Sequence, residues 1–233
     1  MIRSPAKSVS HPVPRAFAAE FLGTAFLLAT VVGSGIMGER LAAGNAALAL
    51  LANSLATGCG LAALILALGP VSGAHFNPLV SLWAAREGAL PRRRVIGYVS
   101  AQCAGAFFGV AAANLMFELP AFTASGHARQ GAAQLLSEAI ATFGLILVIA
   151  ACARRRPSAA PFAVAAYITA AYWFTASTSF ANPAVTLARM ATDTFSGIRP
   201  ADAPAFIGAQ AVGALAAALL SRWLFPPHED SHA

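Results

Sequence analysis

The sequence predicts an all-α membrane protein with six transmembrane helices and two short re-entrant helices. Two observations carry this prediction. Of the 233 residues, 58% are hydrophobic and only 10% are charged, whereas about 25% are charged in a typical soluble domain. In addition, an Asn-Pro motif interrupts the apolar sequence once in each half, as Asn77-Pro78-Leu79 and as Asn182-Pro183-Ala184. Interruptions in corresponding places of two halves are typical of broken helices that meet near the middle of the bilayer.

Six apolar runs predict the transmembrane helices, since a helix needs about 20 apolar residues to cross the hydrocarbon core. The runs cover residues 16–37, 43–68, 95–117, 132–153, 160–174 and 204–225. We expect one integral membrane domain over residues 1–233, without a separate soluble domain. The N-terminal residues up to Pro14 lack an apolar core, so we do not expect a signal peptide.

Each Asn-Pro motif predicts the start of a short helix. Asn is a favourable N-cap residue, and Pro at the first helical position loses no useful hydrogen-bond donor. The helices that follow are too short, at about ten residues, to cross the hydrocarbon core. They are therefore predicted to be re-entrant, which requires that protein buries them or that they line a watery cavity.

The two halves, about residues 15–118 and 131–225, repeat each other. Glu20-Phe21-Leu22-Gly23-Thr24 opens the first span much as Glu138-Ala139-Ile140-Ala141-Thr142 opens the fourth. Because each half contains three spans, an odd number, the second half is expected to be inverted in the membrane. Inversion brings the two Asn-Pro motifs together from opposite sides.

Charge predicts the orientation in the membrane. The net charge of +6 would favour nucleic acid in a soluble chain, but here the basic residues lie between apolar runs, and we expect no nucleic-acid partner. With the N-terminus inside, eleven basic residues are cytoplasmic: Arg3, Lys7, Arg15, Arg86, Arg92, Arg93, Arg94, Arg154, Arg155, Arg156 and Arg222. Four are outside: Arg40, Arg129, Arg189 and Arg199. This bias predicts a multi-pass protein of the bacterial inner (plasma) membrane with both termini cytoplasmic.

At Ser72-Gly73-Ala74-His75-Phe76-Asn77-Pro78 the chain closely resembles the first pore loop of the major intrinsic protein family of aquaporins and glycerol facilitators. The repeated Glu, the six spans and the second Asn-Pro-Ala motif agree with that family, so the resemblance covers nearly the whole chain. It implies a homotetramer with one pore per subunit, in contact with lipid, water and small neutral solutes. It implies no catalytic residue, no cofactor and no metal.

The two asparagines are the expected centre of such a pore. Two half-helix N-termini that point at one spot place positive dipole ends there, which disfavours cations, a barrier of the type known for aquaporins. Asn77 and Asn182 would each offer an amide donor to the oxygen of a passing molecule. The alternative is that both only cap their helices.

Three ionisable residues are expected to support the loops. Glu20 and Glu138 lie in matching positions and are interpreted as acceptors of hydrogen bonds from the re-entrant backbone; proton coupling is the alternative for carboxylates within a membrane. His75 resembles the loop histidine of the family. It is expected to hold the loop by a hydrogen bond, or alternatively to line the inner pore mouth.

Counting from the asparagines assigns the selectivity filter by resemblance to Thr57, Ala170, Ser179 and Val185. Water-selective relatives carry bulky aromatic or His side chains and an Arg at these positions. Small side chains predict a wide, uncharged constriction of mixed polarity that admits solutes larger than water. An insertion in the fifth span would put Tyr172 or Trp173 at the constriction in place of Ala170.

Two departures from the family pattern concern neighbouring residues. Arg189 follows Val185 by four residues, about one helical turn, and either rings the outer vestibule or forms an ion pair with Asp193. Leu79 replaces the usual Ala of the first motif and is expected to narrow the midplane or to make it more apolar.

These features predict a passive channel for glycerol, urea, undissociated metalloid acids such as arsenous acid, and water. Residues 179–198 further resemble bacterial family members associated with arsenic resistance. A water-selective aquaporin is the first alternative, and an ion-coupled secondary transporter that uses Glu20 and Glu138 is the second. An intramembrane enzyme is disfavoured because we find no pair of nucleophile and base.

Overall fold

The computed structural model describes residues 13–226 as eight α-helices, with no β-strand in that part of the chain. The helices are α1 Val13–Leu41, α2 Ala46–Ser72, α3 Pro78–Arg86, α4 Val95–Met116, α5 Ala132–Arg155, α6 Ala160–Phe174, α7 Pro183–Arg189 and α8 Ala203–Leu224. This confirms the predicted all-α class. Arg3 and Lys7, and the predicted absence of a signal peptide, concern the N-terminal residues that lie outside the described part.

Five of these helices are long and apolar enough to cross a membrane: α1, α2, α4 with the basic turn before it, α5 and α8. Helix α6, the fifth predicted span, is shorter at 15 residues, or about 22 Å. A single turn over Pro157–Ala159 precedes it and extends its path. Helix α2 runs four residues beyond its predicted end to Ser72 and stops at Gly73, whose φ of 90° is favourable only for glycine.

The helices pack in two equivalent groups, as an inverted repeat requires. Gly105 on α4 lies against the Phe21 carbonyl of α1, and Gly213 on α8 lies against the Ala139 carbonyl of α5. A side chain at either glycine would collide with that backbone. Small residues let membrane helices approach closely in this way, without a hydrophobic driving force between them.

Large apolar side chains cover much of the outer surface. Phe26, Phe108, Leu136, Val212 and Trp223 are all exposed. Because water-soluble monomers rarely expose large contiguous apolar patches, this surface is that of a protein surrounded by lipid. Helices α1 to α8 therefore form a multi-pass membrane protein.

The short helices α3 and α7 begin at the two Asn-Pro motifs. Asn77 Oδ1 accepts a hydrogen bond from Leu79 N at 2.9 Å. Asn182 Oδ1 accepts from Ala184 N at 3.0 Å and from Val185 N at 3.3 Å. Pro78 and Pro183 occupy the first helical positions, where a missing N–H is not needed.

We predict that Gly213→Ala lowers the melting temperature of the detergent-solubilised protein, because the new methyl group overpacks the contact between α5 and α8 at a cost of about 1–3 kcal/mol. Gly208→Ala is the matched control, since Gly208 lies on the same helix with open space around it. Equal melting temperatures for the two variants would show that the close helix contact does not limit stability.

Candidate functional site

A cavity of about 280 Å³ is lined by residues of both re-entrant loops, Asn77 and Asn182 among them. Thr57, Tyr172 and Arg189 lie at one end, here called the Arg189 end, and Ala89 and Ala153 lie at the other, the Ala153 end. Asn77 and Asn182, from the two half-helix motifs, line the cavity between these ends. Aliphatic side chains form most of the remaining wall: Leu27, Val31, Leu61, Ile65, Leu145, Ile149, Val164, Ile168.

Asn77 and Asn182 meet at the cavity and link the two loops to each other. Asn77 Nδ2 donates to Ala181 O at 2.8 Å, and Asn182 Nδ2 donates to Phe76 O at 2.8 Å. Each amide nitrogen carries two hydrogens, so one N–H of each remains after this crossed pair is formed. Each asparagine thus caps its own helix, ties the opposite loop and keeps one donor.

The other motif residues do not line the cavity. Pro78, Pro183 and Ala184 are buried, and Leu79 packs into an apolar cluster with Trp83. The expectation that Leu79 narrows the midplane or makes it more apolar is therefore wrong: Leu79 is not among the residues that line the cavity, whereas its cluster neighbour Trp83 is.

The backbone before each asparagine adopts a conformation that is rare for residues other than glycine. Phe76 has φ of 48° and Ala181 has φ of 47°, and such left-handed conformations cost roughly 1–3 kcal/mol each. Their carbonyls are the acceptors of the crossed asparagine bonds. Strong contacts elsewhere must hold these turns.

Glu20 provides those contacts for the first loop. Its Oε1 accepts from Ser72 Oγ at 2.6 Å and from His75 N at 2.9 Å. Its Oε2 accepts from Phe76 N and from Gln102 Nε2, both at 2.7 Å. Four hydrogen bonds to a fully buried carboxylate compensate its lost hydration.

Glu138 repeats the arrangement in the second loop. Its Oε1 accepts from Phe180 N at 2.9 Å, and its Oε2 accepts from Ala181 N at 2.9 Å and from Gln210 Nε2 at 2.6 Å. Sequence reasoning missed Gln102 and Gln210. Their signal was present, because each is the single glutamine in the third apolar run of its half.

His75 occupies the first loop as the resemblance implies. Its Nδ1 lies 3.0 Å from Ser81 Oγ, and its ring centroid lies 5.2 Å from that of Tyr98. The histidine also lines the cavity. The two alternatives raised from the sequence are therefore compatible, because one ring nitrogen is held by Ser81 while the side chain forms part of the wall.

Three of the four residues assigned to the filter line the Arg189 end: Thr57, Ser179 and Val185. Ala170 does not, and its assignment is wrong, because it lies exposed on the outer face of α6. Tyr172, the alternative weighed in the sequence, takes that place two residues later, which is about 200° around the helix. Its hydroxyl lies 3.2 Å from Thr57 Oγ1.

Arg189 also lines this end, which agrees with the first of its two alternatives, a place in the vestibule. Its Nε donates to Ser196 O, and its Cζ lies 3.4 Å from the Phe180 ring centroid. The alternative ion pair with Asp193 is not formed within residues 13–226; the Asp193 carboxylate instead accepts from Gly126 N at 2.9 Å. The terminal guanidinium nitrogens have no hydrogen-bond partner among the described residues and can donate into the cavity.

Arg129, from the connection between α4 and α5, lies beside Arg189 and was missed by sequence reasoning. Its Cζ lies 5.0 Å from the same Phe180 ring, and its backbone N–H donates to Asp202 Oδ2 at 2.8 Å. Burial lowers the pKa of Arg129 to about 10, which the Glu138 carboxylate partly opposes, so the side chain is still protonated at neutral pH. Nothing in the sequence around Arg129 indicates this position.

Comparison with known proteins gives a consistent result. The sequence model of the family described as "Major intrinsic protein" matches residues 7–171. The chain is 57% identical over 209 residues to Aquaglyceroporin AqpS of Rhizobium meliloti (strain 1021), covering 90% of this chain and 89% of that protein. It is 35% identical over 121 residues to Aquaporin Z of Brucella melitensis biotype 1, covering 50% and 51%. The X-ray structure of the aquaglyceroporin from Plasmodium falciparum has the same fold, with a TM-score of 0.73, 21% identity and coverage of 92% and 98%.

We predict that Glu20→Gln or Glu138→Gln lowers the melting temperature and the folded yield. An amide presents one oxygen and an NH2 group to the donors that the carboxylate satisfies, and each lost charged hydrogen bond costs roughly 1.5–3 kcal/mol. Glu39→Gln is the control, because Glu39 is exposed on α1. Full stability of both buried variants would contradict the role of these carboxylates in holding the loops.

Proposed function

The chain belongs to the major intrinsic protein family and is a channel for small solutes, and on this premise we propose that it passes neutral solutes larger than water. The solutes we propose are glycerol, urea and undissociated metalloid acids such as arsenous acid, together with water. They move down their own gradients. No cofactor and no energy coupling take part.

The composition of the cavity wall carries this proposal. Hydrogen-bond donors reach it from Asn77, Asn182 and Arg189, while most of the wall is aliphatic. Of the described residues, no aspartate or glutamate lines the cavity. A cation that leaves water therefore finds donors and positive helix ends instead of a counter-charge. A neutral molecule with several hydroxyl groups can replace its water by these donors and place its apolar side against the aliphatic wall.

The residue at position 185 favours a solute larger than water. Val185 lies where water-selective relatives carry an Arg. The arginine of this chain, Arg189, is the last residue of α7 and lies one helical turn further along the helix. The guanidinium of Arg189 packs on the Phe180 ring and donates a hydrogen bond to the Ser196 carbonyl. That arrangement leaves a short apolar side chain beside Thr57 and Tyr172. The similarity to a protein named an aquaglyceroporin agrees with this inference.

The contacts of Glu20 and Glu138 argue against an ion-coupled transporter. Both carboxylates are fully buried, and both accept hydrogen bonds from the backbone N–H groups of a re-entrant loop. Protonation would remove acceptors from turns that depend on them. A fully folded Glu138→Gln protein that has lost a pH dependence of transport would instead favour the proton-coupled alternative.

Orientation and assembly complete the proposal. The excess of basic residues on one side places both termini in the cytoplasm and the Arg189 end of the cavity outside, in the inner membrane of a bacterium. The family resemblance implies a homotetramer, with part of the exposed apolar surface in contact with neighbouring subunits.

We predict that Asn77→Asp or Asn182→Asp admits cations. A carboxylate where two positive helix ends meet partly cancels their barrier, and it cannot donate to the opposite loop. The measurement is potassium flux into proteoliposomes. Asn45→Asp is the matched control, because Asn45 also caps a helix, α2, but at an exposed position. Wild-type exclusion in both pore variants, once folded, would show that these asparagines act only as caps.

We predict that the wild-type protein passes glycerol and arsenous acid without a proton gradient and that Val185→Arg strongly lowers this solute flux while sparing more of the water flux. The longer side chain narrows the opening and adds a charge; a tenfold loss corresponds to a barrier about 1.4 kcal/mol higher. Stopped-flow light scattering of proteoliposomes measures both fluxes.

Ala170→His is the control for Val185→Arg, since Ala170 lies on the outer face of α6 and its replacement should leave both fluxes unchanged. The assignment of the filter is contradicted if the wild-type protein conducts water but excludes glycerol and arsenous acid. Unchanged solute flux in Val185→Arg would contradict it equally.

A further inference from the structure

Arg129 is a buried arginine whose hydrogen bonds go almost entirely to backbone carbonyls. Its Nε donates to Gly197 O at 2.8 Å, its Nη1 donates to Ser177 O at 3.2 Å, and its Nη2 donates to Phe195 O at 3.3 Å. The second Nη1 hydrogen faces Thr178 Oγ1 at 3.5 Å. Four of the five N–H groups are thus committed to the protein, so Arg129 holds its surroundings and is not available to a passing solute.

Arg129 and Arg189 share one aromatic ring and one stretch of backbone. Both guanidinium groups lie against Phe180, with Cζ at 5.0 Å and 3.4 Å from the ring centroid. Successive carbonyls at 195, 196 and 197 accept from Arg129, Arg189 and Arg129 in turn. The position of Arg189 at the cavity therefore depends on a ring and a backbone segment that Arg129 fixes.

With Arg129 counted, the Arg189 end carries one positive charge more than its carboxylates cancel. Within residues 13–226, neither Arg129 nor Arg189 forms an ion pair with a carboxylate. Glu138, which binds the backbone N–H of Phe180, supplies one negative charge. Of the described carboxylates, Glu138 is the one that acts on both guanidinium groups; it offsets one of them, and the pair keeps a net positive charge. The Asp193 carboxylate acts instead on Gly126 and His127. Asp202 does not alter this balance, because its carboxylate is paired with Arg199 at 2.8 Å.

Carbonyl dipoles and the ring make this arrangement possible. Two like charges in a weakly screened site repel each other, and a buried charge is tolerated only with strong hydrogen-bonding partners. Here the partners are backbone carbonyls and the face of Phe180, which attracts cations. These groups stabilise the guanidinium groups and leave their positive charge uncancelled.

We propose that Arg129 is a specificity-determining positioning residue, which holds Arg189 at the cavity and supplies the surplus positive charge that excludes cations there. The proposal rests on the proposed channel function. In this proposal the barrier to cations comes from the segment that connects α4 and α5, because the valine at position 185 carries no charge. Neutral solutes cross this end because they carry no charge for the field to act on.

The test compares Arg129→Gln with wild type in proteoliposomes loaded with a potassium-sensitive dye. We expect potassium permeability to rise about tenfold, equivalent to about 1.4 kcal/mol of lost barrier, while glycerol still passes. Arg40→Gln is the matched control, because Arg40 also lies over a phenylalanine, at 5.1 Å from Phe117, and donates to a backbone carbonyl, but it shares neither the Phe180 ring nor the backbone at 195–197 with Arg189. Arg129→Lys, which keeps the charge, should restore most of the exclusion.

A second variant keeps the test decisive if Arg129→Gln does not fold. Thr178→Asp places a carboxylate beside Arg129 Nη1 without removing the guanidinium, and Asp tolerates the φ of 60° at Thr178. Thr178→Asp should raise potassium permeability, as Arg129→Gln does. Wild-type potassium exclusion in either folded variant overturns the proposal, as does an equal leak in Arg40→Gln. If wild type passes no glycerol, the proposed function fails instead, whatever the potassium result.

Discussion

The hydrogen bonds from re-entrant backbone N–H groups to Glu20 and Glu138 are the interaction on which the rest of the structure depends. Each carboxylate holds a turn in which a residue other than glycine adopts a left-handed conformation, Phe76 or Ala181. Those turns direct two carbonyls at the asparagines of the opposite loop. A neutral amide offers fewer acceptor sites, so the crossed asparagine pair, and with it the central part of the cavity, depends on a carboxylate in each half.

The features that the sequence could predict are those encoded locally or by repetition. Asn77-Pro78 and Asn182-Pro183 carry both the cap and the first helical residue, so the half-helices follow from two adjacent positions. The matched Glu20 and Glu138 indicate a repeat because they recur at the start of equivalent spans. The all-α class follows from the apolar runs, even though α6 is shorter than the other spanning helices.

The features that the sequence did not predict depend on rotation about a helix axis or on distant backbone. Counting residues placed Ala170 at the filter, but a difference of two positions turns a side chain to the other face of a helix, and Tyr172 lines the cavity instead. Arg129 reaches Phe180 from a connection about 50 residues earlier in the chain, and no local pattern reports such a contact. Arg189 was located on the correct turn of α7, but its choice of Phe180 and Ser196 over Asp193 required three-dimensional structure.

The proposed roles of Val185, Arg189 and Arg129 assign the width and the charge of the Arg189 end to different elements. Where one arginine in the filter supplies both the bulk and the positive charge, widening the filter for a larger solute also removes the barrier to cations. In the filter proposed here, Val185 sets the space on α7, while the charge comes from Arg189 one turn away and from Arg129 in another segment. Separation of the two properties allows a wide opening and a positive field to exist together, because neither side chain has to occupy the narrowest point.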